Sequence, residues 1–110
     1  MAVLTKPGVR IKAIPPKMLA ILDALVWLDQ IPVTGQPDDL VITSANDSQH
    51  VAGSKHYDNL AVDVRSKSFA AVKAKKDFLA SLKRHLGDGY TVLWENQGEP
   101  NEHFHIQTKK

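Results

Sequence analysis

The sequence predicts one small α+β domain, with two main helices packed on one face of a small antiparallel sheet. Two long segments place apolar residues at helical spacing, and two short ones alternate apolar with polar residues, as strands with one buried face do. No repeat, low-complexity segment or internal linker interrupts the chain, so residues 1–110 are taken as a single domain.

The first helix is predicted from the start of a periodic apolar segment. Residues 1–14 have weak periodicity and predict an extended arm or an edge strand. Pro15 and Pro16 then open a helix that continues to about Gln30, because proline is well tolerated in the first helical turn. Its apolar face comprises Met18, Ile21, Leu22, Leu25, Val26 and Leu28.

The middle of the chain contains two short strands between loops. Proline and glycine in residues 31–39 predict a loop, which leads into a strand at 40–43 and then a polar loop at 44–59. Residues 60–65 alternate, with leucine and two valines on one face. Asp63 falls on the other face and therefore points away from the core.

The second helix is expected to start near Ser66 or Ser68, since either serine can cap a helix. It continues to Leu86, and Gly87 ends it. The residues predicted to face inward are Val72, Phe78, Leu79, Leu82 and Leu86.

A hairpin is predicted at the end of the chain. Strands at 90–95 and 103–107 flank the turn-rich segment 96–101. In the last strand His103, His105 and Gln107 share one face, while Phe104 and Ile106 share the opposite one.

Composition limits the kind of site the chain can carry. The chain has no cysteine, so it can form neither a disulfide nor a thiolate zinc site, and any metal must be held by His, Asp or Glu. The N-terminus lacks a signal-peptide pattern, and no run of about 18 apolar residues is present. The chain is therefore expected to be made in the cytoplasm without a signal peptide and without stable membrane insertion.

The net charge of +2 is a mild excess of basic residues. These cations predict either a solvated helix face or attraction to an anionic polymer such as a cell wall. Nucleic acid is not an expected partner, because no aromatic side chains that could stack on bases are interleaved with the lysines. The basic residues concerned are Lys67, Lys73, Lys75, Lys76, Lys83, Arg84, Lys109 and Lys110.

Four of the five histidines lie in two short segments that also contain Asp63 and Glu102; they are His50, His56, His103 and His105. A catalytic zinc ion needs three nitrogen or oxygen ligands and one open position for water. His56 precedes a strand, while Asp63 and His105 lie on the non-core faces of two strands. If those strands are neighbours, the three side chains converge on a zinc ion. The alternative is that the histidines only cap or pair locally.

The same residues resemble a known family. Ser54-Lys55-His56-Tyr57-Asp58-Asn59-Leu60-Ala61-Val62-Asp63 is similar to the S-x-H-x-x-G-x-A-x-D signature of the D-alanyl-D-alanine metallopeptidases and L-alanyl-D-glutamate endolysins. Residues 102–105 resemble their E-x-W-H motif. The resemblance covers roughly residues 40–107 and extends to the amino-terminal domain of Hedgehog proteins, which shares this fold and holds zinc.

The resemblance implies a zinc ion bound by His56, Asp63 and His105, with Glu102 as general base and a peptidoglycan stem peptide as substrate. The chain departs from the pattern at Asn59, where the family has glycine, and at Phe104, where it has tryptophan. Residues 44–47 also lack the family's arginine that would stabilise developing negative charge. Arg65 or His50 is the candidate to take over that role, since a donor facing an oxyanion acts electrostatically.

The sequence pattern alone does not decide which residue acts as the general base. On an ideal strand Glu102 points to the face opposite His105, whereas His103 shares the face of His105. A break in the alternation near Pro100 would return Glu102 to the site, and Glu95 is the third alternative. In each case His103 is expected to line the site and bind the oxyanion.

Two functions from different classes follow. The first is a zinc peptidase that cuts an amide of peptidoglycan stem peptides, of carboxypeptidase or endolysin type, acting at the cell wall and in keeping with a phage origin. The second is a non-catalytic binding or structural module stabilised by zinc, similar to Hedgehog domains or to a component of a phage particle.

Overall fold

The structure is a computed structural model and describes residues 2–9, 11, 16–45 and 61–109. Within these ranges the chain forms two helices and five strands, so the α+β class is confirmed. The strands are β1 (Ala2–Thr5), β2 (Asp39–Ser44), β3 (Ala61–Arg65), β4 (Tyr90–Glu95) and β5 (His103–Thr108), and the helices are α1 (Pro16–Gln30) and α2 (Val72–Leu86).

The five strands form one sheet in the order β1-β2-β3-β5-β4. β1 pairs with β2 in parallel, and the three other pairs are antiparallel. The sheet is therefore mixed, and the prediction of an antiparallel sheet is wrong for its first strand. The reason is the connection, because α1 lies between β1 and β2 and a helical crossover returns the chain in the same direction.

Alternate residues of the strands supply one wall of the core. Ile42, Val64 and Phe104 are 0–1% exposed, and they belong to a single apolar cluster with the inner residues of both helices. The rings of Phe69, Phe78 and Phe104 meet at centroid distances of 4.9 to 5.3 Å. The opposite face of the sheet carries the polar side chains of β3 and β5, with an exposed apolar residue, Leu93, opposite His105.

Helix α1 follows its prediction closely, although Pro15 lies outside the described residues. Met18, Ile21, Leu25 and Leu28 are buried, as expected of a 3.6-residue repeat. Val26 is 44% exposed, contrary to the prediction, because a residue next to the buried Leu25 is rotated about 100° around the helix. No helix in the described part of the chain is long and apolar enough to span a membrane.

Helix α2 begins at Val72, several residues later than predicted. Neither Ser66 nor Ser68 caps it, and its N-cap is Ala71, without a side-chain hydrogen bond. The delay has a packing cause: Phe69 is buried against two other rings, so the chain enters the core before the helix starts. Val72, predicted to face inward, is 52% exposed.

The loop before β2 holds the chain that leads into α2. The Ala70 amide donates to the Gly35 carbonyl at 2.9 Å, and Gly35 has a φ of +88°. A Cβ added at Gly35 would lie 2.9 Å from the Cβ of Ala74, inside normal contact distance. Both the backbone conformation and the space therefore call for glycine here.

We expect Gly35→Ala to destabilise the protein more than Gly8→Ala. Gly8 has nearly the same φ, +90°, but a Cβ there meets no atom within 4 Å. The left-handed conformation costs both variants roughly 1 kcal/mol, and only Gly35→Ala adds the overlap with Ala74. Equilibrium denaturation of the two variants measures the difference, and equal losses of unfolding free energy would contradict the close packing at Gly35.

Candidate metal centre

The polar face of the sheet collects the functional side chains of two neighbouring strands. In the β3–β5 ladder Asp63 lies opposite His105, and Arg65 lies opposite His103. The residues between them, Val64 and Phe104, point into the core. Strand alternation thus directs these four side chains to the same side of the sheet.

Asp63, His103 and His105 form a three-residue cluster on this face. His105 Nδ1 lies 2.6 Å from Asp63 Oδ1, and His103 Nε2 lies 3.8 Å from the same oxygen. One ligand atom from each residue can be chosen so that all lie within 4.8 Å of one another. The cluster could therefore bind a metal ion.

Glu95 brings a second carboxylate to the edge of the cluster. It lies opposite His103 in the β4–β5 ladder, and its Oε1 is 3.1 Å from His103 Nε2 and 3.9 Å from His105 Nδ1. Its side chain is 43% exposed, compared with 24% for Asp63. Glu95 is thus close to both histidines and open to solvent.

Hydrogen bonds on the outer side of each imidazole determine which nitrogen faces the cluster. His103 Nδ1 is 2.7 Å from the carbonyl oxygen of Asn101, which can only accept, so Nδ1 carries a proton. His105 Nε2 donates in the same way to Gln107 Oε1, at 2.7 Å. Of the remaining nitrogens, His105 Nδ1 faces Asp63, and His103 Nε2 lies between Glu95 and Asp63. Metal-binding histidines are commonly oriented by such outer partners.

The two histidines also hold their protons more tightly than usual. Partial burial acts to lower the pKa of His103, but the Asn101 carbonyl, the Asp63 charge and Glu95 outweigh it. Burial likewise acts to lower the pKa of His105, and the bonds to Gln107 and Asp63 with the charges of Asp63 and Glu95 outweigh it. Both pKa values are raised above the ordinary 6.5.

The structure brings together two of the three metal ligands predicted from the sequence, Asp63 and His105. The third, His56, lies outside the described residues, as does His50, the predicted oxyanion donor. His103 joins the cluster, as its place on the face of His105 had indicated. Glu95 is the third candidate for the base in the sequence. Its position beside His103 depends on the register between β4 and β5, which the sequence does not show.

The Glu102 carboxylate, in contrast, lies on the other side of the sheet. Its side chain is 3% exposed and accepts hydrogen bonds from Lys75 Nζ, at 3.0 and 3.1 Å, and from the indole N–H of Trp94. Pro100 and Asn101 form a turn, and the alternation of buried and half-buried residues in β5 extends back only as far as Glu102. The carboxylate is thus paired with Lys75 on α2, although Glu102 also lines a cleft together with Asp63 and His103, and its role as base stays a prediction.

Known proteins give no guide to the function of this site. No family model matches the chain, and neither a curated protein nor a solved structure matches it significantly. The ability of the cluster to bind a metal therefore rests on its own geometry.

We expect the metal-free protein to lose part of its stability as pH rises. Because the pKa values of His103 and His105 are raised in the folded state, these residues stabilise the fold fully below about pH 6.5, the value of an unperturbed histidine. This contribution disappears as pH increases through the raised folded values. In chelator, the difference in unfolding free energy between wild type and His105→Gln should therefore shrink as pH rises above about 6.5.

The matched control is His85→Gln, which removes the histidine stacked on Trp27 at 5.0 Å rather than one in the cluster. His85 also lies 3.8 Å from Asp23, so this variant measures what the loss of a histidine outside the cluster does to the same difference. A wild-type advantage over His105→Gln that stays constant or grows with pH would contradict the electrostatic account.

Proposed function

We propose that this protein is a zinc-dependent peptidase that hydrolyses an amide bond in peptidoglycan stem peptides. The observation that carries the proposal is the convergence of two imidazole nitrogens on the carboxylates of Asp63 and Glu95. Each ring donates its outer proton to a neutral oxygen. The other nitrogen of His105 lies 2.6 Å from Asp63, and that of His103 lies 3.1 Å from Glu95 and 3.8 Å from Asp63. Glu95 then stands beside the cluster as a separate carboxylate.

The donor set fits zinc. Two imidazoles and a carboxylate are an established ligand set for a catalytic zinc ion, and the chain has no cysteine that would compete. Ligand atoms on one tetrahedral zinc ion lie about 3.4 Å apart, which is within the range found among Asp63, His103 and His105. The motif names His56 as a ligand and the geometry offers His103, whereas Asp63 and His105 belong to both sets.

When bound, zinc would polarise a carbonyl and lower the pKa of a coordinated water towards about 7. Residues around the metal would accept a proton from the water and pass it to the leaving group. Glu95 is near enough to the ligands and exposed enough to accept a proton from the attacking water. The same carboxyl group can then return the proton to the amine that leaves as the C–N bond breaks. If His56 is the third ligand, His103 Nε2 is free to hold Glu95 in place, at the 3.1 Å seen here.

The substrate part of the proposal is supported by the motif resemblance of residues 54–63 and 102–105. The protein would act at the bacterial cell wall, either produced by a cell or carried by a phage particle. The competing function is a zinc-stabilised module without activity. The Glu95 carboxylate favours the enzyme, because a purely structural zinc site needs no exposed base beside its ligands.

Zinc binding is the first test. We expect Asp63→Asn and His105→Gln each to weaken zinc binding by at least about a hundredfold, because a lost ligand leaves two protein donors. Titration calorimetry at neutral pH measures the affinity, and metal analysis of the dialysed protein gives the stoichiometry. His56→Gln and His103→Gln, compared in parallel, identify the third ligand, and His85→Gln is the control. Stoichiometric zinc in Asp63→Asn would overturn the site.

Hydrolysis is the second test. We expect zinc-loaded protein to release peptides from bacterial cell walls, detected by mass spectrometry, and Glu95→Gln to reduce the rate by about 10²- to 10⁴-fold with zinc still bound. Glu102→Gln should lower the unfolding free energy, because it leaves Lys75 without its partner, yet keep most of the activity per folded molecule.

The opposite pattern is equally informative. Loss of turnover in a folded, zinc-loaded Glu102→Gln variant, with Glu95→Gln active, would return the base to Glu102. If zinc-loaded wild type releases nothing from several wall types, the non-catalytic module is the better description.

A further inference from the structure

Strand β4 forms one edge of the sheet, and its outer side is unpaired within the described part of the chain. It is the last strand in the sheet order, with β5 as its inner neighbour. Its six residues, YTVLWE, include neither lysine nor proline, and its register with β5 continues without a bulge. Lysine, proline, bulges and short length are the usual devices that prevent an edge strand from pairing with another chain. β4 has none of these devices.

The other edge strand, β1, is protected in two of these ways. It has only four residues, and Lys6 and Pro7 follow it directly. A short strand that ends at a lysine and a proline offers little edge for a further strand. Of the two edges that the described strands form, β4 is therefore the one open to pairing.

The register shows which main-chain groups of β4 point outward. The Lys109 amide donates to the Gly89 carbonyl at 2.9 Å, so these residues form a hydrogen-bonded pair where the β4–β5 ladder begins. In an antiparallel ladder such pairs alternate with pairs that do not bond to each other. The amides and carbonyls that point away from β5 therefore belong to three alternate residues: Tyr90, Val92 and Trp94.

These outward groups have almost no partners among the described residues. The one contact there is weak, with Gln97 Nε2 at 3.5 Å from the Trp94 carbonyl. Apolar side chains accompany the free edge on both faces of the sheet. Leu93 is 44% exposed on the polar face, and Tyr90 is half-buried at the border of the core on the other. A strand placed against β4 would cover both.

We propose that β4 pairs in antiparallel orientation with β4 of a second copy of this chain, so that two five-stranded sheets become one continuous sheet. The outward residues are symmetric about Val92, as the two-fold axis of a homodimer requires. Val92 then lies opposite the partner's Val92, and Tyr90 lies opposite the partner's Trp94. Each of these pairs exchanges two main-chain hydrogen bonds.

The side chains favour a second copy over another extended peptide. Any peptide could supply the main-chain bonds, but specificity in such pairing comes from the side chains. In this register Tyr90 and the partner's Trp94 form an aromatic cross-strand pair, and Leu93 lies opposite the partner's Thr91. No like charges are opposed within the paired residues. The sequence of β4 is therefore complementary to itself.

The dimer brings two candidate metal centres to the same side of one sheet. Its two-fold axis is perpendicular to the sheet, so the polar faces of both copies point the same way. His105 is on β5, one strand in from the edge, so the two copies of this histidine lie roughly 14 Å apart, which is three interstrand spacings. A polymer with repeated groups can then be held at two sites at once, which increases its apparent affinity. The interface itself does not depend on the proposed function.

Self-association tests the interface. A dimer held mainly by one strand pair buries little surface and is weak, so sedimentation velocity should cover about 1 to about 500 μM protein. We expect wild type to change from monomer to dimer within this range. Leu93→Lys should weaken the dimer at least about tenfold, because a lysine on an edge strand opposes pairing.

Leu4→Lys is the matched control. Leu4 is 45% exposed, close to the 44% of Leu93, but it lies on β1 at the opposite edge of the sheet. Thermal unfolding verifies that both variants are folded. The proposal is wrong if wild type stays monomeric throughout, if folded Leu93→Lys associates as wild type does, or if Leu4→Lys weakens the dimer equally.

Amide hydrogen exchange of wild type, measured by NMR at both ends of the concentration range, tests the register. The amides of Tyr90, Val92 and Trp94 should exchange at least about tenfold more slowly in the dimer, because they are bonded only there. Those of Thr91 and Leu93 bond to β5 and should be protected in both states. Dimerisation that leaves exchange at Val92 unchanged would place the contact elsewhere and refute pairing through β4.

Discussion

The antiparallel register between β3 and β5 is the constraint on which the site depends. It sets Asp63 opposite His105 and Arg65 opposite His103, while the residues between them fill the core. A shift of one residue would move a whole strand's set of side chains to the other face. It would bury charged groups and expose Val64 and Phe104, so burial of the apolar residues maintains the polar cluster as well.

The two faces of the hairpin β4–β5 perform different tasks with adjacent residues. Glu102 and Trp94 turn toward α2 and, with Lys75, form a nearly buried polar contact that ties the hairpin to the helix. His103 and Glu95, their neighbours in sequence, turn to the open face and join the candidate metal centre. The same short stretch therefore anchors the strand on one side and supplies chemistry on the other. A cleft lined in part by Lys6, Arg65 and Lys67 opens beside the cluster, where the ends of β1 and β3 lie.

Much of this could be predicted from local patterns. Alternation along the strands separates Asp63, His103 and His105 from the core residues, and the apolar repeat of α1 predicts that helix with its bounds. The direction of β1, the late start of α2 and the position of Glu102 required the fold. Each depends on a partner distant in the chain: β2 for the first strand, the rings around Phe69 for the helix, and Lys75 for the carboxylate.

The chain alone was enough to establish the α+β class and the polar face that carries Asp63 and His105, because periodicity is a property of neighbouring residues. Tertiary structure alone decided that Glu95 lies beside His103, that Glu102 faces α2, and that Arg65 adjoins the cluster. These relations are set by cross-strand register and packing, which join residues far apart in sequence and leave no signature in any one segment.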